Sequence, residues 1–264
     1  MKPVSPAFDR LNLPPLPPRV GSASPAPTPR AHHSHEYVCL AEDSMSFIPK
    51  TLAAMYPHRF KYYPIHWNKF PDGTDNIHIE GFHPENLIYG ENVIFFASFH
   101  NNDITLSQFS VLIVLLQSFI QSLTVVLPFY PVGTNERVEV EGIVATANTY
   151  SILFSSLPSI GKPIRLMIYD IHALQNRFYF HGTTIPSLHT AMPLLLRKIQ
   201  TTNIGAVVFP DEGASKRFGK YFSQHSNLQR IVCGKVRDGN QRIVTVQDGD
   251  PEGNQQTSSL FFCS

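Results

Sequence analysis

From Tyr37 onward, short apolar or β-branched runs alternate with longer stretches in which apolar residues recur at helical spacing. The runs Tyr37 to Leu40, Lys61 to Trp67, Val93 to Ser98, Thr124 to Pro128 and Ile164 to Ile171 predict strands. Met45 to Met55, Ile104 to Leu123 and Gly142 to Leu157 predict helices. Ile185 to Ile199 predicts another, with Arg197 and Lys198 near its C-terminal end, where the helix dipole favours cations. Strands and helices alternating at these lengths predict an α/β fold built on a parallel sheet. Ile204 to Pro210 and Arg230 to Lys235 restart the pattern, and Gln241 to Val246 follows, which predicts a second unit of the same kind. No repeat of about 20 to 50 residues is present, so a solenoid is excluded.

The most apolar stretch, Ile104 to Leu127, is interrupted by Gln108, Gln117 and Gln121 and has no basic flank. It reads as a core helix leading into a buried strand; a membrane span needs about 20 largely unbroken apolar residues. Residues 1–34 differ in composition, with Pro14, Pro15, Pro17 and Pro18 followed by a Ser/Pro/Ala run from Ser22 to Pro29. Such a segment fixes φ at many positions and buries little, so it is expected to be a disordered tail. An organelle transit peptide is the functional alternative, favoured by Arg10, Arg19 and Arg30 and opposed by Asp9 and the prolines.

A formal net charge of +1 in 264 residues gives no electrostatic reason to expect a nucleic-acid or membrane partner. Cys39, Cys233 and Cys263 are widely spaced, which argues for reduced thiols inside a cell and offers no zinc framework.

In open α/β sheets ligands bind beyond the carboxyl ends of the strands, so the residues following each apolar run carry the candidate chemistry. At the end of Ile164 to Ile171, Asp170 and His172 stand two residues apart and would share one face. A carboxylate and an imidazole there suit half of a Mg²⁺ site shared with substrate phosphates; equally, the pair could cap the next helix. The segment Pro128 to Arg137 mixes turn formers with hydrogen-bonding side chains, and Arg137 could pair a phosphate, although most such stretches are surface turns. Val207 to Arg217 runs from a strand through an acidic, glycine-containing turn into a basic helix start. That arrangement favours phosphate, while an N-cap with a solvated basic face explains it as well. Lys235 and Arg237 alternate on an extended segment at a strand end, where two cations suit a phosphoryl group in flight. Exposed basic pairs are also common.

Taken in order, these segments resemble one family. Asp170-Ile171-His172-Ala173-Leu174-Gln175-Asn176-Arg177-Phe178-Tyr179-Phe180 is similar to the signature segment of ribose-phosphate diphosphokinases. Gly133-Thr134-Asn135-Glu136-Arg137, Glu141 to Ala147, Phe209 to Phe218 and Cys233 to Val244 resemble the plant-like class II branch. The resemblance covers about residues 36 to 253.

It implies two phosphoribosyltransferase-like parallel-sheet domains, with a tail at 1–34, an N-terminal domain at 35–202 and an incomplete second domain at 203–264. The implied reaction transfers pyrophosphate from ATP to ribose 5-phosphate, giving 5-phosphoribosyl diphosphate and AMP for nucleotide biosynthesis. By the resemblance, Asp170 and His172 hold Mg²⁺, and Lys235 and Arg237 belong to the catalytic loop. Thr134, Asn135, Glu136 and Arg137 meet ATP, Asp211 lies by the ribose phosphate, and Phe70 and Asp72 meet the adenine bound by a neighbouring subunit. A homo-oligomer, or a hetero-oligomer with homologues, is therefore implied, in the cytoplasm or, through the tail, an organelle.

Two departures are local. Thr134-Asn135 stands where the class I enzymes have Arg-Gln, and His181 where they have a second acid. A third is the C-terminus: after Gly253 the chain reads Asn254 to Ser264 instead of a strand, two acids and a Gly-Thr turn cradling the 5-phosphate. The expectation is thus a chain lacking the ribose-phosphate loop and inactive alone. A non-catalytic subunit that modulates active homologues is the alternative. A salvage phosphoribosyltransferase is disfavoured, since it would need the same loop.

Overall fold

A computed structural model describes residues 36–202, 204–223, 228–238, 241–250 and 258–261, which belong to one compact unit, Ser34–Ser264. The expected tail at 1–34 lies outside the described residues. Six parallel strands form the larger sheet: β1 (Tyr37–Ala41), β2 (Phe60–Tyr62), β5 (Asn92–Phe96), β6 (Ser122–Leu127), β7 (Ile164–Tyr169) and β8 (Thr184–His189). Their order is β2-β1-β5-β6-β7-β8. Parallel strands covered on both faces are made of near-continuous apolar runs, and β1, β5 and β6 fit that description.

The helices α1 (Phe47–Met55), α2 (Asn102–Gln117) and α3 (Thr146–Ser155) follow β1, β5 and β6 as crossover connections. Phe95, Phe154, Leu112, Leu115, Leu127 and Leu166 are fully buried in the resulting core. An aromatic cluster joins α2 to α3, with ring centroids 4.9 Å apart for Phe109 and Phe154 and 5.6 Å for Phe99 and Phe109. The stretch 104–127 is accordingly a helix and then a buried strand, and no helix among the described residues is long and apolar enough to cross a membrane.

Two expectations need correction. The predicted strand Lys61 to Trp67 is broken at Pro64, which has no N–H to donate to a ladder. Its second half becomes β3 (Ile65–Lys69), which pairs antiparallel with β4 (Asp75–Ile79) in a separate hairpin. The predicted helix Ile185 to Ile199 is a strand followed by a helix, β8 and then α4 (Met192–Gln200). Pro186 fits an edge strand, and β8 borders only β7 in its sheet.

The second sheet runs β11 (Gln241–Asp248), β10 (Gln229–Asp238), β9 (Ile204–Phe209), β12 (Ser258–Phe261), with α5 (Glu212–Phe222) between β9 and β10. It is mixed: β10 and β12 flank β9 in parallel, while β11 is antiparallel to β10. Both sides of β9 are thereby paired. Met192 and Ile199 of α4 join the core of this sheet with Val207, Phe209, Phe218 and Phe222. The chain thus passes from one sheet to the other through α4.

The start of α2 is fixed by polar contacts. Asn101 Oδ1 caps it by accepting from Ile104 N at 2.8 Å. Gln108 is fully buried and spans the gap to the end of β5: Ser98 N donates to its Oε1 at 3.0 Å, and its Nε2 donates to Ser98 O at 2.8 Å and Ile104 O at 3.0 Å. Gln108→Leu keeps the volume and strands the Ser98 amide and carbonyl, so it is expected to destabilise the fold by about 2 kcal/mol or more. Urea unfolding with an unchanged slope checks this.

Cys39 and Cys233 are buried free thiols. Burial pushes the Cys39 thiol up from 9.0 to about 12. The fold therefore favours the neutral thiol: that stabilisation is complete below pH 9 and is lost as the pH rises toward 12. Native protein at pH 8 should leave Cys39 unmodified by iodoacetamide while denatured protein labels it, as peptide mass spectrometry would read out.

Candidate active site

Three strands end around one cavity. β6 runs out into Pro128-Phe129-Tyr130 and a single 3-10 turn, Pro131–Thr134. β7 ends at Tyr169 and delivers Asp170 and His172, followed by a 3-10 helix, Leu174–Tyr179. β9 ends at Phe209, and Asp211 starts α5. Phe129, Thr134, Asp170, His172, Asp211 and Arg217 all line the space between them, about 500 Å³. Four residues singled out by sequence thus meet at one cavity, beyond the carboxyl ends of strands, where the α/β rule places ligands.

Asp170 is not held there by strand alternation, because β7 has already ended. It adopts φ +44°, in the left-handed region, which Asp tolerates better than most residues. Its carboxylate fixes that turn. Thr190 Oγ1 donates to Oδ1 at 2.6 Å and Ala191 N donates to Oδ2 at 2.9 Å, while the Asp170 amide donates to His189 O at 3.0 Å. The next helix, Leu174–Tyr179, has no side-chain cap, so Asp170 does not cap it; its carboxylate instead holds Thr190 and Ala191 just ahead of α4, and it lines the cavity as well.

Asp211 is in the same position. Its Oδ1 caps α5 by accepting from Ala214 N at 2.9 Å, and it borders the cavity. His172 contributes its main chain to the join between sheets: Arg217 Nη1 donates to His172 O at 2.8 Å. Gly133 packs onto the same segment, since a Cβ there would lie 3.6 Å from His172 N.

The stretch Thr134 to Arg137 divides. Thr134 lines the cavity. Asn135 turns toward α3, its Nδ2 donating to Thr146 Oγ1 at 3.2 Å. Glu136 is nearly buried and pairs with Arg137 Nε at 3.3 Å, while Arg137 itself is three-quarters exposed. Asn135, Glu136 and Arg137 do not line the cavity.

Nor do Phe70 and Asp72, which sit at the tip of the β3–β4 hairpin. Asp72 Oδ1 accepts from Thr74 Oγ1 at 2.6 Å and Thr74 N at 2.9 Å, and these bonds hold its carboxyl below the usual range. Gly73 at φ +86° closes that turn, and Phe70 is half exposed. Lys235 and Arg237 lie in the last residues of β10, on the extended segment expected, paired with Val244 and Arg242 of β11. Their side chains lie outside the described residues.

Arg217 closes the Val207 to Arg217 segment read from sequence as favouring phosphate, a reading that gives it no role of its own. One turn into a basic helix, it reads as a solvated cation, and only the packing of α5 against the β7 loop turns it inward. Opposite it, the crevice where the sheet order reverses between β1 and β5 holds the hairpin. Trp67 Nε1 donates to Ala41 O at 3.3 Å, and Lys69 bridges Asp103 at 2.9 Å and Asp75 at 3.1 Å, which leaves about 230 Å³.

Among the described residues no group of three or more His, Cys, Asp or Glu side chains is placed to hold a metal ion. Asp170 already accepts two protein donors, although each oxygen keeps a second lone pair. With His172, an imidazole and thus a poor Mg²⁺ ligand, it suits an ion whose coordination is completed by phosphate and water.

No protein-family model matches the chain. Among curated proteins, it is 45% identical over 194 residues to "Ribose-phosphate pyrophosphokinase 4" of Oryza sativa, covering 72% of this chain and 58% of that protein. It is 40% identical over 223 residues to "Ribose-phosphate pyrophosphokinase 4" of Arabidopsis thaliana, covering 83% and 63%. Against "Ribose-phosphate pyrophosphokinase 3, mitochondrial" of Spinacia oleracea it is 44% identical, covering 72% and 46%. The chain thus spans roughly half to two thirds of the length of these relatives. A crystal structure of phosphoribosylpyrophosphate synthetase from Mycobacterium smegmatis superposes with a TM-score of 0.59 at 17% identity, over 80% of this chain and 67% of that one. That likeness shows the fold.

The Asp170 turn offers a direct test of its structural half. Asp170→Asn tolerates the left-handed φ but supplies one acceptor oxygen for the two donors Thr190 and Ala191. It is expected to cost about 1–2 kcal/mol in denaturant unfolding.

Proposed function

We propose, from the premise that the aligned part of this chain belongs to the ribose-phosphate pyrophosphokinase family in its plant-like branch, that its cavity serves pyrophosphate transfer from ATP to ribose 5-phosphate. The observation that carries the reading is the convergence of Thr134, Asp170, His172, Asp211 and Arg217 on one space from three strand ends. In the reaction the anomeric oxygen of ribose 5-phosphate bonds to the β-phosphorus of ATP, the bridge to the α-phosphorus breaks, and AMP leaves. Catalysis of this kind is mostly positioning and charge stabilisation, which a few well-placed donors and cations supply.

Arg217 is suited to a phosphate oxygen as a planar, permanently charged donor. The Thr134 hydroxyl is a second donor, and Asp211 is an acceptor for ribose hydroxyls. Lys235 and Arg237, assigned by resemblance, would bear on the transferring group. Asp170 and His172 would meet Mg²⁺ carried with the nucleotide's phosphates, which when bound offsets their negative charge. Asn135, Glu136 and Arg137 would act through the shape of the ATP loop. Phe70 and Asp72, which do not line this cavity, suit the adenine of a nucleotide on a neighbouring subunit, in a homo-oligomer or with a homologue. Residues 35–202 and 203–264 would be the two domains. The cytoplasm is the proposed compartment, with organelle targeting in keeping with relatives named chloroplastic and mitochondrial.

Calorimetry with Mg-ATP is expected to show one site per chain, weakened about tenfold or more in Arg217→Ala, the loss of a charge-assisted bond. AMP release is then followed with and without ribose 5-phosphate, for the chain alone and mixed with a full-length relative inactivated at its counterpart of Lys235. Release that requires ribose 5-phosphate in either arrangement supports the reading. Binding without such release in either would sink the catalytic assignment, and absence of Mg-ATP binding would sink the whole reading.

A further inference from the structure

The cavity is walled by loops from neighbouring strands, and their connection is specific. Asn176 and Tyr179 sit three residues apart on the 3-10 helix Leu174–Tyr179. A 3-10 helix has about three residues per turn, so side chains at i and i+3 leave from the same face. They reach two main-chain carbonyls that are also three residues apart. Asn176 Nδ2 donates to Gly133 O at 3.0 Å, and the Tyr179 hydroxyl donates to Glu136 O at 2.8 Å. Those carbonyls bracket Thr134, which lines the cavity.

The loop they grip has little to hold it by itself. Its 3-10 turn, Pro131–Thr134, has no side-chain cap. Its other described ties run to the start of α3: Ala147 N donates to Asn135 O at 3.3 Å, Asn135 Nδ2 to Thr146 Oγ1 at 3.2 Å and Tyr130 Oη to Ala147 O at 3.4 Å. Asn176 is completely buried and its Oδ1 has no partner among the described residues. The nearly buried Glu136 likewise has an unpartnered Oε2. A buried acceptor without a donor costs free energy, and a leucine at 176 would avoid it. Asn176 is therefore not the residue that stability alone favours there; what it supplies is the directed bond to Gly133.

We infer that Asn176 and Tyr179 are positioning residues that yoke the loop bearing Thr134 to the loop bearing Asp170 and His172, so that both sides of the nucleotide's phosphate environment move as one body. Neither lines the cavity; both act through the carbonyls of Gly133 and Glu136. The ligand named here rests on the proposed function, whereas the coupling between the loops does not.

The test uses the full chain, its Tyr179→Phe variant and the double variant Asn176→Leu/Tyr179→Phe. Amide exchange by mass spectrometry follows peptides covering 130–137, whose Gly133 and Asn135 amides bond to Tyr130 O and Val132 O. Their exchange should quicken about tenfold in the double variant and less in the single one, with β5 and β6 unchanged, as for a local opening. The Kd for Mg-ATP should rise by about the same factor, because the binding-competent state is less populated. Unchanged exchange at 130–137 would overturn the yoke. So would quickening spread evenly over the strands with a lowered unfolding midpoint, or loosening without weaker Mg-ATP binding. Should the unsubstituted chain bind no Mg-ATP, the proposed function falls and the exchange result alone decides the coupling.

Discussion

At the end of β7 the backbone of Asp170 enters the left-handed region, and the carboxylate accepts from Thr190 and Ala191 while the amide donates to the end of β8. A non-glycine residue stays in that region only when its surroundings over-determine it. The three bonds do so, and their reach is longer than the turn. They fix the entry to α4, whose Met192 and Ile199 are part of the core of the second sheet. That core seats α5, and α5 returns Arg217 to the carbonyl of His172, two residues from where the circuit began. The cavity lies inside this loop of contacts, so its walls on both sheets are referred to one carboxylate.

Such an arrangement removes the opposition between structural and functional readings of the acids. Asp211 caps α5, Asp170 ties down Thr190 and Ala191 ahead of α4, and each borders the cavity. A carboxylate has about four acceptor positions, and one or two protein donors do not exhaust them. Holding the acid by part of its lone pairs also fixes the direction of the rest. The cost is that substitution disturbs fold and site together, so loss of activity at either position would not by itself identify a ligand contact.

How much of this the sequence disclosed varied with range. Strands β1, β5, β6, β7 and β9 stand close to where apolar runs predict them, because a strand buried on both faces leaves an unmistakable pattern. The mistakes came where local signals compete. Ile185 to Leu188 has spacing compatible with a helix, and only pairing with β7 makes it a strand. Pro64 was a visible breaker, yet the apolar residues on either side of it suggested one continuous strand from Lys61 to Trp67. Asp170 and His172 were found because strand ends are where ligands bind, and Asp211 and Thr134 lie in segments found the same way, although their own roles came from the resemblance. Arg217 and Asn176 lay inside the segments singled out, yet neither received its role, since each owes it to a contact with a main-chain carbonyl about 45 positions away in sequence, which no local pattern records.

The position of the site follows from what fills the rest of the sheet's edge. In a doubly wound sheet the crevice at the point of strand reversal is the default pocket, here between β1 and β5. The hairpin β3–β4 occupies it, with Trp67 bonded to Ala41 and Lys69 neutralising Asp103 and Asp75, so little room for a ligand is left. Displacement toward β6 and β7 puts the cavity against the second sheet, the one direction in which α5 can add a cation. The hairpin's tip, with Phe70, does not line the cavity of its own chain. One insertion thereby closes the ordinary pocket and frees an aromatic residue for another surface, and the cavity that remains has to be completed by residues from beyond the first sheet.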